Sequence, residues 1–212
     1  MSQKNVVEET RGSVSLSQAK KLGMVGSILV VLTSVPSIGG LLGIVGGILI
    51  LLAIKDIADA VTDGSIFRNM LIATISAVAG VAVSILAVLG YFFSFIAQYG
   101  LTTPYDWSSF DPMTIPVSEW VGFFVSILLA LTVVWVTLTI SAVFVRRSFS
   151  TISSKLNVNM FKTAGLLYLI GAATTILMVG FPIIFVADIL LIVAFFSMGE
   201  EVPIARLGGV AQ

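Results

Sequence analysis

Asp188 is the residue of this chain whose type and position could support chemistry inside a membrane. It lies within the apolar run Thr163–Met198, which contains no Lys or Arg. A carboxylate in hydrocarbon is costly, so an ionisable residue at membrane depth is a functional candidate. Two interpretations are open: a proton or cation site that faces a polar cavity, or a buried neutral acid bonded to a hydroxyl group. The candidate hydroxyl donors are Tyr168, Thr174, Thr175, Ser126 and Thr132.

The residues required by most other kinds of active site are missing. The chain has no His and no Cys, which removes the Ser-His-Asp triad and the commonest ligands of zinc, copper and iron. It also has neither a glycine-rich phosphate loop followed by Lys nor a GxSxG motif. We therefore expect no catalytic activity, no cofactor and no metal. A net charge of zero gives no support to nucleic-acid binding.

The composition places the chain in lipid. It is 58% hydrophobic and 10% charged, with a mean hydropathy of +1.11, whereas soluble domains are about 25% charged. Four apolar runs follow one another, namely Leu22–Ile54, Met70–Ala97, Trp120–Val145 and Thr163–Met198. Because a membrane-spanning helix needs about 20 residues, the middle two runs predict one helix each. The first and last runs are long enough for two helices each.

Helix breakers and charge indicate how the long runs fold. Pro36 lies between Ser34 and Gly40 in the first run, and Pro182 follows Gly180 in the last. If both runs are hairpins and the N-terminus is inside, all eleven Lys and Arg residues lie on one side, as basic residues near spans do. If both are single spans, two links move outside with Lys55, Arg68, Arg146, Arg147, Lys155 and Lys162. If only the last run is a single span, Arg206 alone moves, so the second hairpin rests mainly on length.

These features predict an all-α polytopic transmembrane helical bundle in the cell membrane, with six spans, two helical hairpins and both termini cytoplasmic. The predicted spans are Ser17–Ser34, Gly39–Ile57, Met70–Ala97, Trp120–Val145, Thr163–Gly180 and Phe181–Met198. Residues 1–16 form a polar cytoplasmic segment and residues 17–198 the transmembrane domain, with an outer loop at residues 98–119. Residues 199–212 form a cytoplasmic tail.

Small residues four positions apart mark two helix faces that we expect to pack closely. The first face holds Gly39, Gly43 and Gly47, and the second holds Ser76, Gly80 and Ser84. Packing within the chain is the favoured interpretation, and contact with a second copy or with other membrane subunits is the alternative.

Four basic residues lie on or beside the segment 148–162 and are expected to contact lipid headgroups: Arg146, Arg147, Lys155 and Lys162. Within that segment Phe149, Ile152, Leu156 and Met160 recur at helical spacing. This pattern suits a surface helix near anionic headgroups. The favoured interpretation is that the basic residues only anchor the spans on the cytoplasmic side.

Three segments resemble an uncharacterised, mainly archaeal family of membrane proteins, domain of unknown function 996. They are Gly43–Ala73 (GIVGGILILLAIKDIADAVTDGSIFRNMLIA), Arg146–Ala173 (RRSFSTISSKLNVNMFKTAGLLYLIGAA) and Asp188–Ser197 (DILLIVAFFS). The polar links match together with the apolar runs. The resemblance implies an integral membrane protein from an archaeon, and it transfers no functional residue.

Two functions are compatible with the sequence. The first is a non-catalytic membrane protein, either structural or an accessory subunit of a larger assembly. The second is a small transporter or channel that uses Asp188 as its proton or cation site. Broken helices in both halves of the chain favour the second, although the breaks fall near the outer face and not at the midplane.

Overall fold

In the computed structural model, residues 13–99, 111, 113 and 115–203 are described. Apart from two strands of three residues, the described regular structure is helical. The elements are β1 (Ser13–Ser15), α1 (Ser17–Val31), a 3-10 turn (Leu32–Ser34), α2 (Gly39–Ala60), α3 (Gly64–Tyr99), α4 (Val117–Leu156), α5 (Asn159–Thr174), a 3-10 turn (Thr175–Leu177), α6 (Gly180–Ser197) and β2 (Glu201–Pro203). The predicted outer loop, the polar N-terminal segment and the C-terminal tail lie largely outside the described residues.

Five helices are long and apolar enough to cross a membrane, as expected of a multi-pass membrane protein. They are α2, α3, α4, α5 with its following turn (Asn159–Leu177), and α6. α1 has 15 residues and is shorter than these five. With the turn that follows it, α1 reaches roughly 28 Å.

The helix that contains the fourth predicted span, Trp120–Val145, is longer than that span. α4 continues past Val145 to Leu156 without interruption, because no Gly or Pro lies between Gly122 and Gly165. The segment 148–162 is therefore not a separate surface helix. Phe149 and Ile152, which form the apolar face of such a surface helix, have no solvent-exposed surface. The helical spacing of these residues was correct, and the partner they face is protein.

The contacts divide the chain into two units, one made of Met1–Thr74 with Ser141–Gln212 and the other of Ile75–Ile140. The first unit contains one large apolar core. Most of its members flank the links between helices, and not the middle of the apolar runs. The core residues are Leu16, Ala19, Ile50, Ala53, Ile54, Ile57, Ala58, Val61, Ile66, Phe149, Ile152, Phe161, Ala164, Leu191, Ala194, Phe195 and Met198.

Three phenylalanines connect the helices of this core. The ring of Phe149 on α4 lies 5.8 Å from that of Phe161 on α5, and Phe161 lies 5.1 Å from Phe195 on α6 with the planes at 88°. Edge-to-face pairs of this kind add about 0.5–1.5 kcal/mol each beyond the area they bury. The Phe195 ring in turn occupies the space beside Gly23 of α1, where any side chain would collide with it.

α1 and α2 pack against each other as an antiparallel pair with direct backbone contact. A methyl group added at Gly26 would lie 2.8 Å from the carbonyl oxygen of Gly46, and one added at Gly46 would lie 2.9 Å from the nitrogen of Val30. Nearer the connection, Gly39 lies against the backbone of Thr33. Such close approach maximises dispersion contacts between helices, which is how helices associate in lipid.

α5 and α6 form a second antiparallel pair. A methyl group at Gly171 would lie 2.6 Å from Ile184 Cγ1 and 3.2 Å from the carbonyl oxygen of Gly180. Both connections pass through a 3-10 turn and then a residue in the left-handed region, Ser37 at φ 71° in the first pair and Met178 at φ 61° in the second. Ser37 adjoins Pro36 at the first predicted break, whereas Met178 lies four residues before Pro182, which falls in the first turn of α6.

Two short strands join the regions that flank the helices. β1 pairs antiparallel with β2, with Ser13 opposite Pro203 and Ser15 opposite Glu201. The amide of Leu16 donates a 2.7 Å hydrogen bond to the carbonyl oxygen of Glu200. The start of α1 and the end of α6 are thus held side by side.

The second unit consists of α3 and α4 residues between Ile75 and Ile140. Ser84 donates a 3.1 Å hydrogen bond to the carbonyl oxygen of Ala130, and Tyr91 donates one of 3.1 Å to that of Glu119. Outside this contact line, large apolar side chains are exposed, including Leu86 at 68% and Leu128 at 62%. These exposed apolar side chains are compatible with a lipid environment.

We expect Gly46→Ala to destabilise the protein by about 1–3 kcal/mol, because the added methyl group meets backbone atoms of α1 that cannot move aside. Gly47→Ala is the matched control, since nothing lies within 4 Å of a methyl group there. Thermal unfolding in detergent, followed by tryptophan fluorescence, measures both. Equal melting temperatures for the two variants would contradict the α1–α2 packing.

Candidate functional site

Asp188 lies midway along α6 and is 8% exposed. Its Oδ1 accepts a hydrogen bond from the hydroxyl of Tyr168, which lies on the facing side of α5. The antiparallel packing of α5 on α6 explains the pairing, since the same register places Gly171 beside Ile184. Of the five hydroxyl donors considered from the sequence, the structure selects Tyr168.

The other four hydroxyl groups are bonded to their own helices. Ser126 donates to Gly122, Thr132 to Leu128, Thr174 to Ile170 and Thr175 to Gly171, in each case to a carbonyl oxygen four residues earlier. A hydroxyl in hydrocarbon finds an acceptor one turn back on its own helix without any help from a neighbour. The phenol of Tyr168 extends further from its backbone and reaches across the helix pair.

The Asp188–Tyr168 pair adjoins the aromatic core. The Tyr168 ring lies 6.2 Å from that of Phe149 on α4, which contacts Phe161 and through it Phe195. The phenol is therefore held between an apolar cluster on one side and a carboxyl group on the other. Its ring position is fixed by packing and its hydroxyl direction by Asp188.

The surroundings of Asp188 limit its chemistry. Within the described part of the chain, no Lys or Arg forms an ion pair with Asp188. No group of three or more His, Cys, Asp or Glu side chains that could hold a metal ion occurs in residues 13–99, 111, 113 and 115–203. A carboxyl group and a phenol can share or exchange one proton. They do not form a metal-binding set.

The predicted small-residue faces meet different surroundings. Gly39 and Gly43 lie against Thr33, whereas Gly47 faces open space and its neighbour Gly46 makes the contact with α1. Gly47 follows Gly39 by eight positions and is rotated about 80° from it, whereas Gly46 is rotated by only about 20°. Residues spaced four apart therefore rotate away from the contact with α1, whereas residues spaced alternately four and three apart remain on the contact face.

The second small-residue face lies within the unit formed by Ile75–Ile140. Gly80 contacts the Thr137 side chain so closely that no Cβ would fit, and Ser84 donates to Ala130. Ser76 is half-buried. The residues of this face lie between α3 and α4, within the chain.

The four basic residues divide into two kinds of environment. Lys155 is half-buried, with its Nζ 4.0 Å from Asp63 Oδ2. Arg146, Arg147 and Lys162 are exposed, and Arg147 places its guanidinium 5.4 Å from the centre of the Phe144 ring. Asp63 also accepts hydrogen bonds from the hydroxyl and amide of Ser65, at 2.6 and 3.1 Å. These bonds hold the pKa of Asp63 below its usual value, with a smaller contribution from Lys155.

Comparison with known proteins identifies the family of this chain. Residues 42–189 match the family model described as protein of unknown function DUF996. The chain belongs to this family. The matched range begins within α2 and ends one residue after Asp188, so it includes the Asp188–Tyr168 pair. The family match confirms the resemblance found in the sequence.

A second comparison identifies a relative of similar size. An uncharacterised protein of the archaeon Methanocaldococcus jannaschii is 31% identical over 188 residues, covering 89% of this chain and 96% of the relative. No solved structure matches the chain. The DUF996 family match and this relative place the protein in a group whose function is unknown.

Sequence reasoning missed the residues that join the helices of the first unit. Gly23 and Gly26, three apart on α1, provide the surfaces for Phe195 and Gly46. Their spacing was a usable signal for one helix face. The aromatic contacts between Phe149, Phe161 and Phe195 had no local signal, because each residue lies on a different helix.

We expect Tyr168→Phe to destabilise the protein by about 1–3 kcal/mol, because it leaves the buried carboxyl group of Asp188 without its hydrogen-bond donor. Tyr91→Phe is the matched control, since its hydroxyl bonds only to a backbone carbonyl near the end of the apolar run. Thermal unfolding of both single variants, of Asp188→Asn and of the Tyr168→Phe/Asp188→Asn double variant gives the coupling energy. Additive effects would show that the two residues do not stabilise each other.

Proposed function

We propose that the protein is a non-catalytic integral membrane protein of six spans that serves as a structural or accessory subunit of a membrane assembly. The observation that carries this proposal is the bonding of Asp188 to Tyr168 between closely packed helices. A buried carboxyl group with a neutral donor and an apolar surround is suited to holding two helices in register. Many large apolar side chains of the described helices are exposed and are available to lipid and to other spans.

We base the six-span proposal on helix direction and strand pairing together. α1 packs antiparallel to α2, so we take α1 to cross the membrane with α2. Pairing of β1 with β2 requires the two ends of the helical region to lie on one side, which needs an even number of crossings. Five helices long enough to span, together with α1, make six.

The basic residues orient this topology. With six spans, the links that carry Lys55, Arg68 and Arg146 lie on the same side as both chain ends, and that side is cytoplasmic by the positive-inside rule. We accordingly assign the protein to the cell membrane with both termini cytoplasmic. The connections at residues 34–38 and 177–179 then lie outside.

The proposed partners are apolar surfaces. Helix faces of the Ile75–Ile140 unit expose large side chains around most of their circumference, as with Leu129 at 62% and Val78 at 63%. In a membrane such faces contact lipid, a second copy of the chain or spans of other subunits. An accessory subunit is expected to present such surfaces.

A small transporter or channel is the second candidate. Its support is that the helices that hold the Asp188–Tyr168 pair, α5 and α6, are joined by a connection in which the Thr175–Leu177 turn and Met178 interrupt the helix. Interrupted helices at a carboxyl group form ion sites in many transporters. Against it, Asp188 lies about 12 Å along α6 from the break, so the freed backbone carbonyls do not surround the carboxyl group.

We expect single cysteines to be labelled from opposite sides of the membrane. The chain has no Cys, so Ser34→Cys and Leu177→Cys should react with an impermeant maleimide from outside, and Ser154→Cys only from inside. All three native residues are exposed. A Val14→Cys/Val202→Cys pair should cross-link, because the two residues are partners in the strand register.

Each outcome contradicts a different part of the topology. An unreactive Leu177→Cys, together with failure of the Val14–Val202 cross-link, would mean that the last apolar run is one bent span. External labelling of Ser154→Cys would overturn the whole orientation. A Val14→Cys/Ser34→Cys pair, whose members are separated by the length of α1, is the control that should not cross-link.

Asp188→Asn separates the two candidate functions. For an accessory subunit, we expect affinity-tagged wild type and Asp188→Asn to co-purify from native membranes with the same stoichiometric partner. We also expect proteoliposomes of either protein to show equal proton and cation flux, at the level of empty liposomes. A wild-type flux that Asp188→Asn abolishes, measured with correctly inserted protein, would establish the transporter and reject the structural role.

A further inference from the structure

One surface of the first unit carries a strong local charge that the proposed function does not use. No Asp or Glu occurs between Glu119 and Asp188, yet this stretch contains Arg146, Arg147, Lys155 and Lys162. The other link of the same face, residues 55–68, has Lys55 and Arg68 together with Asp56, Asp59 and Asp63. The positive charge is thus concentrated at the junction of α4 with α5.

Intramolecular pairing leaves most of this charge free. Lys155 lies 4.0 Å from Asp63, whereas Arg146, Arg147 and Lys162 form no ion pair with any residue that the structure describes. All three side chains are exposed. Three cations without a protein counter-ion, on adjacent turns of two packed helices, are available to an external anion.

Arg146 and Lys162 border the same groove between the two helices. A methyl group at Gly165 would lie 3.1 Å from the Cα of Arg146 and 3.2 Å from the Cβ of Phe149, so α5 approaches α4 closely at this level. Lys162 precedes Gly165 by three residues, which places it on the same face of α5. Gly165 therefore brings the Cα atoms of Arg146 and Lys162 to one line of contact between α4 and α5, which we call the seam.

Arg147 reaches toward the apolar part of α4. Its guanidinium lies over Phe144, one turn closer to the helix N-terminus, in the direction in which helical side chains lean. In the proposed topology this direction is into the inner leaflet. A guanidinium at this depth lies at the level of lipid phosphates, whose oxygens it binds as a planar two-pronged donor.

We propose that the seam between α4 and α5 is a binding site for the phosphate of an anionic phospholipid of the inner leaflet, held by Arg146, Arg147 and Lys162. The membrane supplies such a headgroup at the depth of these side chains, and among the described residues no acidic side chain forms an ion pair with any of the three. Because it needs this end of α4 to lie at a membrane surface, the site rests on the membrane placement proposed above.

The test uses the purified full-length chain in neutral detergent, titrated with phosphatidylglycerol or with phosphatidylcholine of the same acyl chains. We expect phosphatidylglycerol to raise the melting temperature more, because a ligand that binds the folded state stabilises it. Arg146→Gln/Arg147→Gln should weaken the apparent affinity for phosphatidylglycerol roughly fivefold for each cation removed. Native mass spectrometry of the same samples counts the bound lipid.

Lys55→Gln/Arg68→Gln is the matched control, because it removes the same charge from the other link of the same face. It should retain wild-type affinity. An equal loss of phosphatidylglycerol affinity in this control would mean that general positive charge, and not a specific site, binds the lipid. Wild-type affinity in Arg146→Gln/Arg147→Gln would also overturn the site. If inorganic phosphate at equal concentration produced the same stabilisation, the ligand would be a free anion and not a lipid.

Folding and topology are controlled separately. Arg146→Lys/Arg147→Lys preserves charge and insertion but removes the two-pronged donors, and we expect it to bind with an affinity between those of wild type and the glutamine variant. If Arg146→Lys/Arg147→Lys binds phosphatidylglycerol no better than phosphatidylcholine, binding depends on the guanidinium groups and not on charge alone, which supports the site. Labelling of Ser154→Cys from inside in every background shows that the membrane placement holds, so failure of the lipid site is distinguishable from failure of the topology.

Discussion

Hydrocarbon offers no hydrogen-bond partner, and this constraint governs every level of the structure. Each backbone polar group must be satisfied within the protein, which favours long helices and confines the described strands to three residues at the ends of the helical region. Several hydroxyls within the helices donate to carbonyl oxygens of their own helix, as those of Thr132 and Thr139 do. The carboxyl oxygens of Asp188 find no such partner on their own helix, because they accept hydrogen bonds and the backbone amides of the helix already donate to backbone carbonyls. It therefore requires a partner on another helix.

That requirement has a consequence for how the first unit is specified. Apolar contacts between helices in lipid discriminate poorly among rotations and shifts, since lipid is as apolar as the partner helix. The Asp188–Tyr168 bond joins α5 to α6 where Gly171 also packs against Ile184, and close backbone contacts between glycines join α1 to α2. Phe195 lies beside Gly23 of α1 and so joins the two pairs, while the contact of Phe149 with Phe161 attaches α4 to α5. A polar bond and close packing therefore occur together between α5 and α6.

Much of the architecture could be predicted because it depends on local sequence. The breaks at Pro36 and Pro182, the long apolar runs and the hydroxyl candidates for Asp188 were all visible in the chain. What could not be predicted depends on neighbours. Phe149 and Ile152 repeat at helical spacing whether they face headgroups or protein, so their burial required knowledge of α5. Gly46 was missed because a fixed spacing of four ignores the 3.6-residue turn.

The pairing of β1 with β2 bears on whether the last apolar run is a hairpin or a single span, a question that the charge pattern alone left open. Positive-inside counting depends on six basic residues for the first hairpin but on Arg206 alone for the second. Pairing of Ser13–Ser15 with Glu201–Pro203 depends on neither charge nor apolar length. It supports the proposal that these two segments lie on one side of a membrane, at the point where the charge pattern is weakest. Charge and strand pairing are independent arguments for the proposed even number of crossings, because two short strands pair most simply when the final span returns to the side on which the first began.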